Sequence, residues 1–161
     1  MIIATVKNRR RPTKRTLMMF TAITLLMGCA SLPRMNTSSG RPEITICRVG
    51  KNEMMEKVVA AASMDGFNIR NTSNFQIVMG KPVSNALVAA LMGSRYDSTP
   101  EYRLVWTFAD IGNNCTHIGV VVQIVTNPGS AFERVVDVST GKDGHQIQED
   151  LEKLKAIIES K

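Results

Sequence analysis

YRLVWTFA (residues 102–109), GNN (112–114) and THIGVVVQIVT (116–126) decide the fold of this 161-residue chain. Tyr102, Leu104, Trp106 and Phe108 alternate with Arg103, Val105, Thr107 and Ala109, which is the two-residue period of a half-buried strand. Gly112-Asn113-Asn114 reads as a turn. The β-branched run that follows puts Ile118, Val120, Val122 and Ile124 on one side, with Gly119 in its middle as the mark of a bulge or bend. Asn127-Pro128-Gly129 is a second turn, and Phe132–Val138 reads as a last strand. Three strands joined by short turns form an antiparallel meander.

Upstream, Glu43–Val49 alternates as a short strand broken by Gly50. Asn52 is placed to cap a helix through Met64, in which Met54, Met55, Val58, Val59 and Ala62 recur at helical spacing before Gly66. Phe67, Ile69 and Asn71, then Phe75–Met79, read as a hairpin closed by the polar residues 71–74 and ended by Pro82. Ser84 opens a short helix with Leu87, Val88, Leu91 and Met92 on one face, and Gly93 stops it ahead of a polar loop. Downstream, Asp143 and Gln146 resemble a capping box for a final helix striped by Ile147, Leu151, Leu154, Ile157 and Ile158. The order β-α-β-β-α-β-β-β-α predicts an α+β domain over residues 43–161: a curved antiparallel sheet of five to six strands packed by helices. Its topology resembles the helix-grip arrangement, in which a sheet wraps a long C-terminal helix.

The N-terminus has another character. Lys7, Arg9, Arg10, Arg11, Lys14 and Arg15 precede an eleven-residue apolar run, Leu17–Met27. A hydrocarbon core needs about 20 helical residues to cross, whereas a signal-peptide core needs roughly 7–15. Leu26, Gly28 and Cys29 match the first, third and fourth positions of a lipobox, with Met27 a departure at the second. Residues 1–29 therefore resemble a bacterial lipoprotein signal. The resemblance implies cleavage before Cys29, fatty acylation of the Cys29 thiol and amine, and, with Ala30 next, anchoring in the outer membrane facing the periplasm. Residues 1–28 would then be removed, and 29–42, rich in Ser, Gly and Pro, would be a flexible tether.

This processing changes the electrostatics. The whole chain carries a formal charge of +6, but all six basic residues of the signal lie before the cut, so residues 29–161 hold 14 basic and 14 acidic side chains. A neutral domain offers no electrostatic footprint for nucleic acid. With Cys29 acylated, Cys47 and Cys115 remain as a pair in an oxidising compartment, which predicts a Cys47–Cys115 disulfide, the alternative being two buried thiols.

No catalytic set emerges. His117 and His145 lack the companions that a metal centre needs, and no metal or cofactor is expected. Ser98, His117 and Asp110 supply triad residue types without a nucleophile elbow, and Gly141-Lys142-Asp143-Gly144 lacks the phosphate-loop pattern. Met54, Met55, Met64, Met79 and Met92 read as core filling, or as an adaptable apolar groove; Trp106 likewise reads as core before ligand platform. Arg95, Tyr96 and Asp97 form the most interface-like loop. The expected function is non-enzymatic: a membrane-anchored interaction or assembly module for an envelope protein complex, docking through residues 93–101 or the 132–138 edge. The alternative is a carrier or sensor of a small apolar ligand, which requires a cavity of about 300 Å³ or more between sheet and C-terminal helix.

Overall fold

The computed structural model describes residues 34–83 and 100–160. The signal segment with Cys29, the expected Ser84–Met92 helix and the Arg95, Tyr96 and Asp97 loop lie outside the described residues. The elements are β1 (Glu43–Cys47), α1 (Lys51–Met64), β2 (Asn68–Thr72), β3 (Gln76–Pro82), β4 (Glu101–Asp110), β5 (Cys115–Thr126), β6 (Arg134–Asp137) and α2 (Lys142–Glu159). This is the α+β architecture that the hydropathy pattern predicts: an open, curved antiparallel sheet ordered β1-β5-β4-β3-β2, with β6 also on β5.

Strand β5 is the hub. One edge pairs with β4 without interruption from Glu101↔Val125 to Asp110↔Thr116. The other edge is shared: β1 takes its first half, Cys47↔Cys115 to Glu43↔Gly119, and β6 takes its end, Gln123↔Asp137 to Thr126↔Arg134. Between them the Val120 N–H donates to the Pro42 carbonyl and the Val138 N–H to the Val122 carbonyl, both at 2.8 Å, while the Val122 N–H donates to Ser139 Oγ at 2.9 Å. Arg41 and Asp137 close the seam with a 2.8 Å ion pair.

The register puts Ile46, Ile77, Met79, Leu104, Phe108, Ile118, Val120 and Val122 on one buried face, where Met54 and Val58 of α1 and Leu151 of α2 complete the core. Helix α2 lies chiefly along β1, and its side chains satisfy two amides of that edge: Glu43 N–H donates to Gln148 Oε1 at 2.9 Å and Cys47 N–H to Glu159 Oε1 at 3.1 Å. Cys47 and Cys115 are bonded as a disulfide at the last rung of the β1–β5 ladder.

Local details depart from the sequence reading for identifiable reasons. Gly119 carries no bulge; its lack of a side chain lets Thr107 lie across it and donate to its carbonyl at 3.2 Å. The irregularity falls instead in β2, between Ile69 and Asn71. Neither helix takes its expected cap: Gly50 and Gly141 are the N-caps, and neither makes a side-chain cap bond. At α2 the cause is packing, because a Cβ at Gly144 would overlap the Ser139 carbonyl, and the helix starts pressed against that group. Gln146 turns away to Asp150. Strand β1 stops at Cys47 because Arg48 adopts a left-handed conformation, φ 71°. Strand β6 is shorter than expected because turns at Ser130 and Glu133 hold the chain before it.

The described part of the expected tether packs on the domain. Met35 and Pro42 are buried, and Ser38 and Ser39 donate their backbone N–H groups to the Glu43 carboxylate. Hydrogen bonding from Ser39, together with Ser38 and against a smaller effect of burial, holds the Glu43 carboxyl below its ordinary range.

Candidate functional site

The two helices do not close over the sheet. Val58, Ala61 and Ala62 of α1 face Ile147, Leu151 and Leu154 of α2 across a cleft of about 710 Å³. These positions follow the i, i+3, i+4 and i+7 spacing of helix faces turned to a core. On α1 the face carries two alanines where larger side chains would fill the gap.

The floor comes from strands β3, β4 and β5. Their registers align Lys81 with Tyr102 and Ile124, then Met79 with Leu104, then Ile77 with Trp106. Along one strand, same-face rows are spaced about 7 Å apart. The floor therefore grades from a polar row at Tyr102 to apolar rows at Leu104 and Trp106. Phe67 and Tyr102 pack with ring centroids 6.2 Å apart, and the Lys81 ammonium lies 4.2 Å above the Phe67 ring. Trp106 stacks near Phe108 at 6.3 Å, and its Nε1 is buried without a hydrogen-bond partner among the described residues. Burial, with the Asp143 charge adding to it, pushes the Tyr102 phenol up to about 12.

Charges rim the cleft in two sets. Lys57 pairs with Glu53 at 3.2 Å, and Asp150 with Lys153 at 3.0 Å. Lys81, Lys142, Asp65 and Asp143 make no ion pair among the described residues. All four lie toward the Tyr102 end: Lys81 beside Tyr102 in register, Asp65 just before Phe67, and Lys142 and Asp143 in the first turn of α2.

The opposite face of the sheet is different in kind. Glu101, only 3% exposed, receives Arg70 and Arg103, and Arg103 continues to Glu133 at 2.8 Å. The Arg103 guanidinium holds the Glu133 carboxyl below its ordinary range, helped by the Gly129 N–H. With every member of this chain engaged, the network is a clamp from β2 across β4 to the loop before β6.

The residues weighed for chemistry do not converge. Asp110 accepts the Gly112 N–H, whereas His117 faces the other side of the sheet, its Nδ1 3.2 Å from Thr45 Oγ1. His145 sits in the first turn of α2 with Nε2 buried and without a hydrogen-bond partner among the described residues. Among the described residues no three His, Cys, Asp or Glu side chains group as metal ligands, and no helix is long and apolar enough to cross a membrane. The sequence reads Trp106 as core before ligand platform; in the structure it is half-buried and lines the cleft. The sequence does not show Lys81, Tyr102, Lys142 and Asp143 as neighbours, because only the β3–β4 register and the start of α2 bring them together. Comparison of the chain with family models, curated proteins and solved structures finds no match.

Proposed function

We propose that this chain is an envelope lipoprotein, acylated at Cys29 and held at the outer membrane facing the periplasm, whose domain is a non-enzymatic binding module for an apolar ligand. The observation that carries this reading is the cleft between α1 and α2, whose volume of about 710 Å³ falls inside the roughly 300–1,000 Å³ typical of small-molecule sites. Its lining is mostly apolar, with a few polar groups at one end, the usual division between affinity and orientation. Two or more acyl chains would hold the anchor stably, each buried methylene contributing about 0.8 kcal/mol.

Mass spectrometry of the membrane-extracted protein tests both halves. Denaturing conditions should give a chain starting at Cys29 with added acyl mass; a mass retaining residues 1–28 sinks the anchor. Native conditions should retain a hydrophobic guest that is lost from an Ala61→Phe variant, in which the new ring occupies the cleft from an exposed position on α1. A guest retained equally by both proteins counts against the cleft.

The assembly reading has its own support at β6, where Val135 and Val136 of the strand and Phe132 just before it are exposed near a sheet edge. Crosslinking in envelope extracts should capture a stoichiometric protein that Val135→Lys releases. A preparation with no such partner removes this reading.

A further inference from the structure

We infer that the cleft takes a single-chain amphiphile whose head carries both an anionic and a cationic group, such as a phosphate joined to an amine. This rests on the reading of the cleft as a ligand site and adds the class of the ligand. The first observation is the polarity gradient of the floor. From the Tyr102 row to the Trp106 row is two same-face steps, roughly 14 Å, and along it Lys81 and the Tyr102 hydroxyl give way to Met79, Leu104 and Trp106. That is the profile of a molecule with a head at one end and a chain at the other. The groove is bounded by one pair of helices, with Val58 and Leu151 on facing walls, which suits one chain laid along the strands.

The second observation is the balance of free charge at the head end. The pairs Lys57–Glu53 and Asp150–Lys153 neutralise the rim elsewhere. Lys81 and Lys142 remain against Asp65 and Asp143, two of each sign, without ion pairs among the described residues. A purely anionic head would gain two ammonium groups and face two carboxylates; a purely cationic head would meet the reverse. An uncharged head would desolvate the four groups without pairing them, which is unfavourable. A head with both signs lets each find a partner, the anion at Lys81 and Lys142 and the cation at Asp65 and Asp143. The Phe67 ring beneath the Lys81 ammonium holds that cation at the cleft.

Trp106 is the only tryptophan in the chain and lines the cleft, so its fluorescence reports occupancy directly. Four detergents with one tail and different heads should be titrated into the full chain below their micellar thresholds: dodecylphosphocholine, dodecyl sulfate, dodecyltrimethylammonium and dodecyl maltoside. Dodecylphosphocholine should bind at least about tenfold more tightly than the other three, a difference of about 1.4 kcal/mol. Lys81→Gln with Lys142→Gln should shift the preference to the trimethylammonium head, and Asp65→Asn with Asp143→Asn to the sulfate. These exchanges change rim groups only, and circular dichroism verifies the fold. Equal binding of all four detergents, lost in Ala61→Phe, overturns the head-group assignment and leaves the cleft as an apolar site. No response to any of them, or responses unchanged in Ala61→Phe, overturns the cleft reading itself.

Discussion

The backbone of Gly80 lies beneath the carboxylate of Glu101, so close that a Cβ at position 80 would overlap it. Gly80 and Arg103 are paired residues of β3 and β4, and Glu101 stands on the same outer face two residues before Arg103. The glycine makes room for a buried acid, and the acid holds two arginines. Gly80→Ala should therefore cost about 1–3 kcal/mol, as overpacking does elsewhere, and Glu101→Gln a similar amount, since Arg103 keeps Glu133. Urea unfolding of both single variants and the double should show strong non-additivity, because once Glu101 is displaced the second change has less to remove. Additive costs would mean that the two positions are independent.

Reducing the Cys47–Cys115 bond should lower stability by about 4 kcal/mol in the chain-entropy model. The bond spans 68 positions of sequence. Urea midpoints with and without reductant measure this, and a Cys47→Ala, Cys115→Ala variant should match the reduced protein and be indifferent to reductant. An unchanged midpoint would place the stability of β1 in its hydrogen bonds alone.

Ser139 is fully buried in the β5 seam and accepts the Val122 N–H. Ser139→Ala leaves that amide without its acceptor and should cost about 1–3 kcal/mol. Hydrogen exchange at Val122 should accelerate more than at Leu104, which stays inside an unbroken ladder. Uniform acceleration at both amides would show only a global loss of stability.

Glu43 and Glu133 both titrate below the ordinary 4.5 of a glutamate, the first through Ser39 and the second through Arg103. A depressed carboxyl contributes stability above its unfolded pKa and loses it as pH falls through the folded value. Urea midpoints should hold steady down to about pH 5 and then decline, and Glu43→Gln should make the decline shallower. A decline of the same depth in the variant would take Glu43 out of the acid response.

Tyr102 has the opposite sign. Its folded pKa of about 12 exceeds the ordinary 10.0, so its contribution is present below 10 and disappears as pH rises through 12. Ultraviolet titration should find one phenol that ionises late, earlier in Asp143→Asn, and later again when the cleft is filled. A Tyr102 that ionises near 10 would mean that the cleft is open to water at its polar end.

Much of this fold is legible in the sequence because β4 and β5 alternate so cleanly that their faces follow from parity, and GNN fixes the turn between them. The helix caps are not legible: the side chains of Asn52 and Asp143 have the right propensities, but the contact of Gly144 with Ser139 sets where α2 begins, and that contact belongs to tertiary structure. The site was half visible. The apolar stripe of α2 names Ile147, Leu151 and Leu154, and Trp106 is the single tryptophan of the sequence. The polar end depends on Lys81 meeting Tyr102 across a strand pair and on Asp143 arriving from far along the chain, a register and a docking angle that no local pattern encodes. The same dependence hid the Glu101 clamp, since Arg70 reaches it from the irregular β2.

The disulfide also decides how the domain carries load. A pull on the chain ahead of Pro42 would open the β1–β5 ladder rung by rung from Glu43, like a zip, because the two strands run antiparallel. The zip ends at Cys47, where the next link is covalent and leads into the start of β5. Tension from the N-terminal side is thus handed from the weakest geometry of a sheet to its longest strand, and β1 acts as a short leash that slackens without coming off.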